Sequence, residues 1–103
     1  MIYIGNAFSL NMLTDAKSIV AIREIEKKEL DFLITTYGNY ESVVGHEDMA
    51  NLLGVPFNRT TLRLEKNDEL YVAQYSGPRL PEGATELPEG ASFKYYNVKV
   101  LNV

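Results

Sequence analysis

The chain has 103 residues, of which 46% are hydrophobic and 23% charged, the balance of one globular domain with one core and not of a disordered chain. No apolar run exceeds four residues, so neither a transmembrane helix nor a signal-peptide core is expected; cysteine is absent, which excludes disulfides, thiol nucleophiles and thiolate metal sites and makes the cytosol the simplest compartment, and with a single histidine an ordinary zinc site is not expected. Ten basic residues against fourteen acidic ones give a net charge of −4, so duplex DNA is not an expected partner, although a locally positive pocket can still hold a small anion.

Met1-Ile2-Tyr3-Ile4-Gly5 is an apolar, β-type run closed by glycine and is expected as the first strand. Asn6 to Leu13 fits neither period and is expected as a loop running into a short helical turn. Ser18-Ile19-Val20-Ala21-Ile22-Arg23, rich in β-branched residues, predicts a second strand. From Glu26 the spacing changes: Leu30, Leu33, Ile34 and Tyr37 fall on one helical face, and Gly38 supplies a C-terminal stop. Glu41 to Val44 is either extended or the start of a helix. His46 then stands before a second helix, with Glu47 and Asp48 in its first turn, Met49, Leu52 and Leu53 on one face, and Gly54 and Pro56 at its end.

The second half reads as β. Leu62 and Leu64 alternate with Arg63 and Glu65, turn residues follow at 66–69, and Leu70-Tyr71-Val72-Ala73-Gln74-Tyr75 predicts the returning arm of a hairpin. Phe93 to Val103 alternates loosely and predicts a closing strand. Between them Ser76 to Gly90 holds three prolines and three glycines in fifteen residues, a loop that regular structure cannot fill and either a binding loop or a surface excursion. The expectation is a single α/β (α+β) domain over residues 1–103, with a mixed sheet of about five strands flanked by helices.

Few residues can carry chemistry. Histidine is the side chain suited to moving protons both ways near neutral pH, and His46 is the only one; its alternative is a capping or surface role. Asn6, Ser9 and Asn11 follow the first strand, where ligands collect in open sheets and where Asn and Ser also serve as turn residues. Arg79 offers a planar fork for phosphate and Glu82, three positions on, a carboxylate to orient the fork or accept from a hydroxyl; the pair is equally suited to a solvated surface. Gln74 is polar in an apolar strand and faces either ligand or solvent. Lys17 and Arg23 are further candidate cations. No phosphate loop, dinucleotide fingerprint, HExxH or GxSxG motif occurs.

In order along the chain, Asn6-Ala7-Phe8-Ser9-Leu10-Asn11-Met12-Leu13, Gly45-His46 before a helix, Leu64-Glu65-Lys66 leading to Asp68-Glu69-Leu70-Tyr71-Val72, Gln74, and Arg79-Leu80-Pro81-Glu82-Gly83 resemble the small viral and bacterial ring nucleases that act as anti-CRISPR proteins against type III systems. The resemblance runs from Met1 to about Glu89; Ser76-Gly77-Pro78-Arg79 is one residue longer than the family pattern. It implies a homodimer holding one cyclic tetra-adenylate across its two-fold axis and cutting it without metal or cofactor, by attack of a ribose 2′-OH on the adjacent phosphate. The implied products are short linear oligoadenylates with 2′,3′-cyclic phosphate ends. By the same resemblance His46 is the general acid, and Asn6, Ala7, Phe8, Ser9, Asn11, Gly45, Gln74, Arg79 and Glu82 form the substrate site. Two other classes compete: a sponge that binds the cyclic nucleotide without cutting it, and a dimeric regulatory or interaction protein.

Overall fold

The computed structural model describes residues 1–14 and 17–101. In chain order it contains β1 (Ile2–Gly5), a 3₁₀ turn (Leu10–Met12), β2 (Ile19–Ile25), α1 (Lys27–Phe32) continued by a π-helical segment (Leu33–Tyr37), β3 (Glu41–Ser42), α2 (Glu47–Leu53), β4 (Glu69–Ser76) and β5 (Ser92–Leu101). The strands form one mixed sheet in the order β2-β5-β4-β1-β3, an α+β fold. β1 lies parallel to both β3 and β4, whereas β5 is antiparallel to β4 and β2.

The period of two along β4 divides the core between the sheet's faces. Tyr71 and Ala73 face the helical side, where Ile4, Leu30, Leu33, Val44, Ala50 and Val55 pack. Leu70 and Val72 face the other side with Val98 and Val100, covered by Leu62, Leu64, Phe8, Met12 and Leu13 from irregular segments. Because both faces are covered, β4 reads as a continuous apolar run and not as an alternation. Burial pushes the Tyr71 and Tyr95 phenols above the ordinary tyrosine value, so folding favours their neutral form.

The expected hairpin between residues 60–65 and 70–75 does not form. Leu62 and Leu64 are buried as their alternation suggests, but only Leu64 pairs, in a single parallel bridge to Leu13. β4 already has β1 on one edge and β5 on the other, so no edge is left for that segment. Its sharp entry into β4 comes from Asp68, whose carboxylate accepts from the Glu65 N–H at 2.8 Å while its own N–H donates to the Glu65 carbonyl. The true antiparallel partner of β4 is β5, reached across the glycine- and proline-rich loop, and β3 takes the fifth place in the sheet. The closing strand is described to Leu101; Asn102 and Val103 lie outside the described residues.

The first helical face holds through Leu30, Leu33 and Ile34 but loses Tyr37, which is 52% exposed. Widening to π geometry rotates that position off the stripe, and the segment ends on a Gly38 N–H to Leu33 carbonyl bond with Gly38 at φ 70°.

Candidate functional site

Three adjacent parallel strands deliver their carboxyl ends to one edge of the sheet. Asn6, Ala7 and Phe8 leave β1; Gly45 and His46 follow β3; Gln74 lies near the end of β4, with Arg79 and Glu82 just beyond it. Ligands gather beyond such strand ends because the diverging chains leave a crevice there.

The turn carrying His46 is firmly held. Ser42 Oγ donates to the Pro56 carbonyl, Asn58 Nδ2 donates to the Ser42 carbonyl at 2.8 Å, and the Asn58 N–H donates to Val44 at 2.9 Å. Asn6 Oδ1 accepts from the Gly45 N–H at 3.4 Å, tying the end of β1 to the residue before His46. Arg59 packs beside Gly45, where a Cβ would sit 3.4 Å from the Arg59 Cγ. His46 is the N-cap of α2: with extended backbone at φ −130°, ψ 116°, its Nδ1 accepts from the Met49 N–H at 3.3 Å. That bond assigns the neutral ring's proton to Nε2, the nitrogen left for a ligand.

Two clefts flank this turn. One, of about 440 Å³, is lined by Asn6, Ala7, Phe8 and Gln74 together with Met49 and Tyr96. The other, of about 510 Å³, is lined by His46, Asp48, Arg79, Leu80, Pro81 and Glu82. Met49 joins them, since it lines the first and its N–H caps onto His46. Arg79 and Glu82 are exposed and take no part in the four ion pairs found among the described residues, so their charges are left to the second cleft.

Ser9 and Asn11 line neither cleft. Ser9 Oγ accepts from the Asn11 N–H to start the 3₁₀ turn, and the Asn11 carbonyl accepts from Arg63. Arg23 is engaged by Glu29 at 3.3 Å, and Lys17 lines neither cleft. Asp48, Met49, Tyr96 and the neighbouring Arg59 are among the residues that the sequence motifs did not single out.

The loop over the second cleft is itself built. Its neck closes where Gly77 meets Ala91: at φ 143°, a Cβ on Gly77 would lie 2.7 Å from the Ala91 Cα. Tyr75 donates its hydroxyl to the Pro78 carbonyl, and Leu80 is buried beneath the loop. Replacing Gly77 by alanine is therefore expected to force the neck apart, costing about 1–3 kcal/mol and speeding limited proteolysis between residues 77 and 91. Cleavage at the wild-type rate would contradict this.

A protein-family model described as STIV B116-like matches residues 2–96. The chain belongs to that family. Among solved structures, B116 of Sulfolobus turreted icosahedral virus superposes with a TM-score of 0.78 at 22% identity, covering 94% of this chain and 97% of that one. No curated protein matches the chain. The B116-like fold thus spans the whole strand-end crevice, and the family is that of a viral protein. Among the described residues of this B116-like chain, no helix is long and apolar enough to cross a membrane.

Proposed function

We propose that this B116-like protein is a metal-independent ring nuclease that opens cyclic tetra-adenylate and so silences type III CRISPR signalling. The observation that carries the reading is the shared cleft: His46, Arg79 and Glu82, 36 residues apart in sequence from first to last, line one cavity, and Arg79 and Glu82 make no ion pair among the described residues. Arg79 offers a fork for a phosphate. Asn6, Gln74 and the ring of Tyr96 line the adjoining cleft, where an adenine can stack and accept hydrogen bonds.

The substrate supplies its own nucleophile. The ribose 2′-oxygen bonds to the adjacent phosphorus, the bond from phosphorus to O5′ breaks, the 2′ proton passes to solvent, and His46 gives a proton to O5′. The products are a 2′,3′-cyclic phosphate and a 5′-hydroxyl. In-line positioning by the two clefts and a placed acid, worth ~10²–10⁴-fold, supply the acceleration. In this reading the protein acts in the host cytoplasm as a homodimer with one ring across its two-fold axis, and exposed Ile22 on the cleft wall becomes covered by the second copy.

Purified protein incubated with cyclic tetra-adenylate and EDTA is expected to convert the ring to linear products carrying cyclic phosphate ends, resolved by chromatography. An intact ring at enzyme excess overturns the reading.

One observation favours a second reading, capture without cleavage. An imidazolium that donates from Nε2 also carries a proton on Nδ1, and Nδ1 here accepts from Met49. Acid catalysis therefore requires the cap to open in the reacting state, whereas a sponge leaves it closed. Calorimetric binding with the intact ring recovered afterwards would establish the sponge.

A further inference from the structure

We infer that Asp48 is a positioning residue, which holds the 77–90 loop over the cleft and thereby sets Arg79 and Glu82 for the ligand; this rests on the ring-nuclease reading of the same cleft. Residues 81–84 form a β-turn closed by the Ala84 N–H to Pro81 carbonyl bond at 3.1 Å, with Gly83 at φ 76° in its third position. Such a turn uses the N–H of its last residue and leaves that of its third residue free. Here the free Gly83 N–H donates to Asp48 Oδ1 at 3.1 Å. The peptide whose orientation this bond fixes is the one joining Glu82 to Gly83, so the tether governs how the Glu82 side chain leaves the turn.

Asp48 is well placed to act this way. It lies in the first turn of α2, two residues after His46, so one rigid element presents both the imidazole and the tether. Its carboxylate makes no ion pair among the described residues and lines the same cleft as Arg79 and Glu82. With the neck closed at Gly77 and Ala91, Tyr75 bonded to Pro78 and Leu80 buried, the tether is the contact nearest the tip. Without it, the Glu82–Gly83 peptide loses the hydrogen bond that joins this turn to α2.

The test compares wild type, Asp48→Ala, Asp48→Asn and, as a control, Glu47→Ala, which removes a carboxylate from the same helical turn. Amide exchange by NMR on the free proteins reads the tether. Exchange at Gly83 should accelerate about tenfold in Asp48→Ala and stay near wild type in Asp48→Asn, which retains an acceptor oxygen, and in Glu47→Ala. Single-turnover kinetics with cyclic tetra-adenylate read the positioning. Asp48→Ala should raise the half-saturating protein concentration about tenfold while leaving the saturated rate within about twofold, with Asp48→Asn restoring most of the loss. Equal Gly83 exchange in wild type and Asp48→Ala, or unchanged half-saturation in Asp48→Ala, overturns the proposal. A wild-type protein that leaves the ring intact overturns the nuclease reading and the positioning role with it, and the exchange data then decide whether the tether exists as a structural contact alone.

Discussion

His46→Asn is expected to keep the fold's stability within about 0.5 kcal/mol of wild type while lowering the single-turnover rate of ring cleavage ~10²–10⁴-fold. Asparagine is among the best N-cap residues, so its side chain can take over the bond from the Met49 N–H that the imidazole now accepts. It cannot give up a proton to a leaving oxygen. The substitution therefore separates the capping role that the structure shows from the acid role that we propose for the same side chain. His46→Ala removes both and should lose about 0.5–1 kcal/mol as well as the activity. Stability is read by urea denaturation, and the chemical step by quenched single turnovers at saturating protein. If the asparagine variant cleaves as fast as wild type, His46 is a cap and not an acid.

The second large effect lies in the frame. Leu70 is fully buried in β4, at the centre of the sheet, and Leu70→Ala should destabilise the protein by about 2–5 kcal/mol. For a domain with about 5–15 kcal/mol in total, that is a large share of its stability, and the urea midpoint should fall accordingly. The cavity would open beside the last residue of β1, because a Cβ on Gly5 would stand 3.3 Å from Leu70 Cδ1 and 3.2 Å from Val43 Cγ2. Gly5→Ala should thus cost less in the Leu70→Ala background than alone, since its methyl then meets a neighbour on one side only. A double-mutant cycle measures that coupling, and strict additivity would show that the Gly5 and Leu70 sites do not share space.

Local sequence carried the local structure well. The run Ile2–Gly5, the cap before Glu47 and the left-handed glycines at 38 and 54 each depend on a few neighbouring residues, and each lies where the residue types require. Pairing was another matter. Alternation at Leu62 and Leu64 reports that two side chains are buried, but it is silent on which backbone edge is free, and β4 had none to offer. The same distinction holds at the site. Asn6, His46, Arg79 and Glu82 were visible as chemistry-bearing types in a recognisable order. Asp48 was visible only as a helix-start carboxylate, because its hydrogen-bond donor, the Gly83 N–H, lies 35 residues further along the chain. Ser9 and Asn11 line neither cleft: the Ser9 hydroxyl accepts from the Asn11 backbone N–H at the start of the 3₁₀ turn, and the Asn11 carbonyl accepts from Arg63.

The closed neck at Gly77 and Ala91 has a bearing on how such a protein can change over generations. Because the two stems touch at the rim of the sheet, residues between them can be gained, lost or exchanged without shifting the register of β4 against β5. On the ring-nuclease reading, selectivity for one messenger or another can then be altered in that insert while the scaffold, and the imidazole it carries, stay as they are.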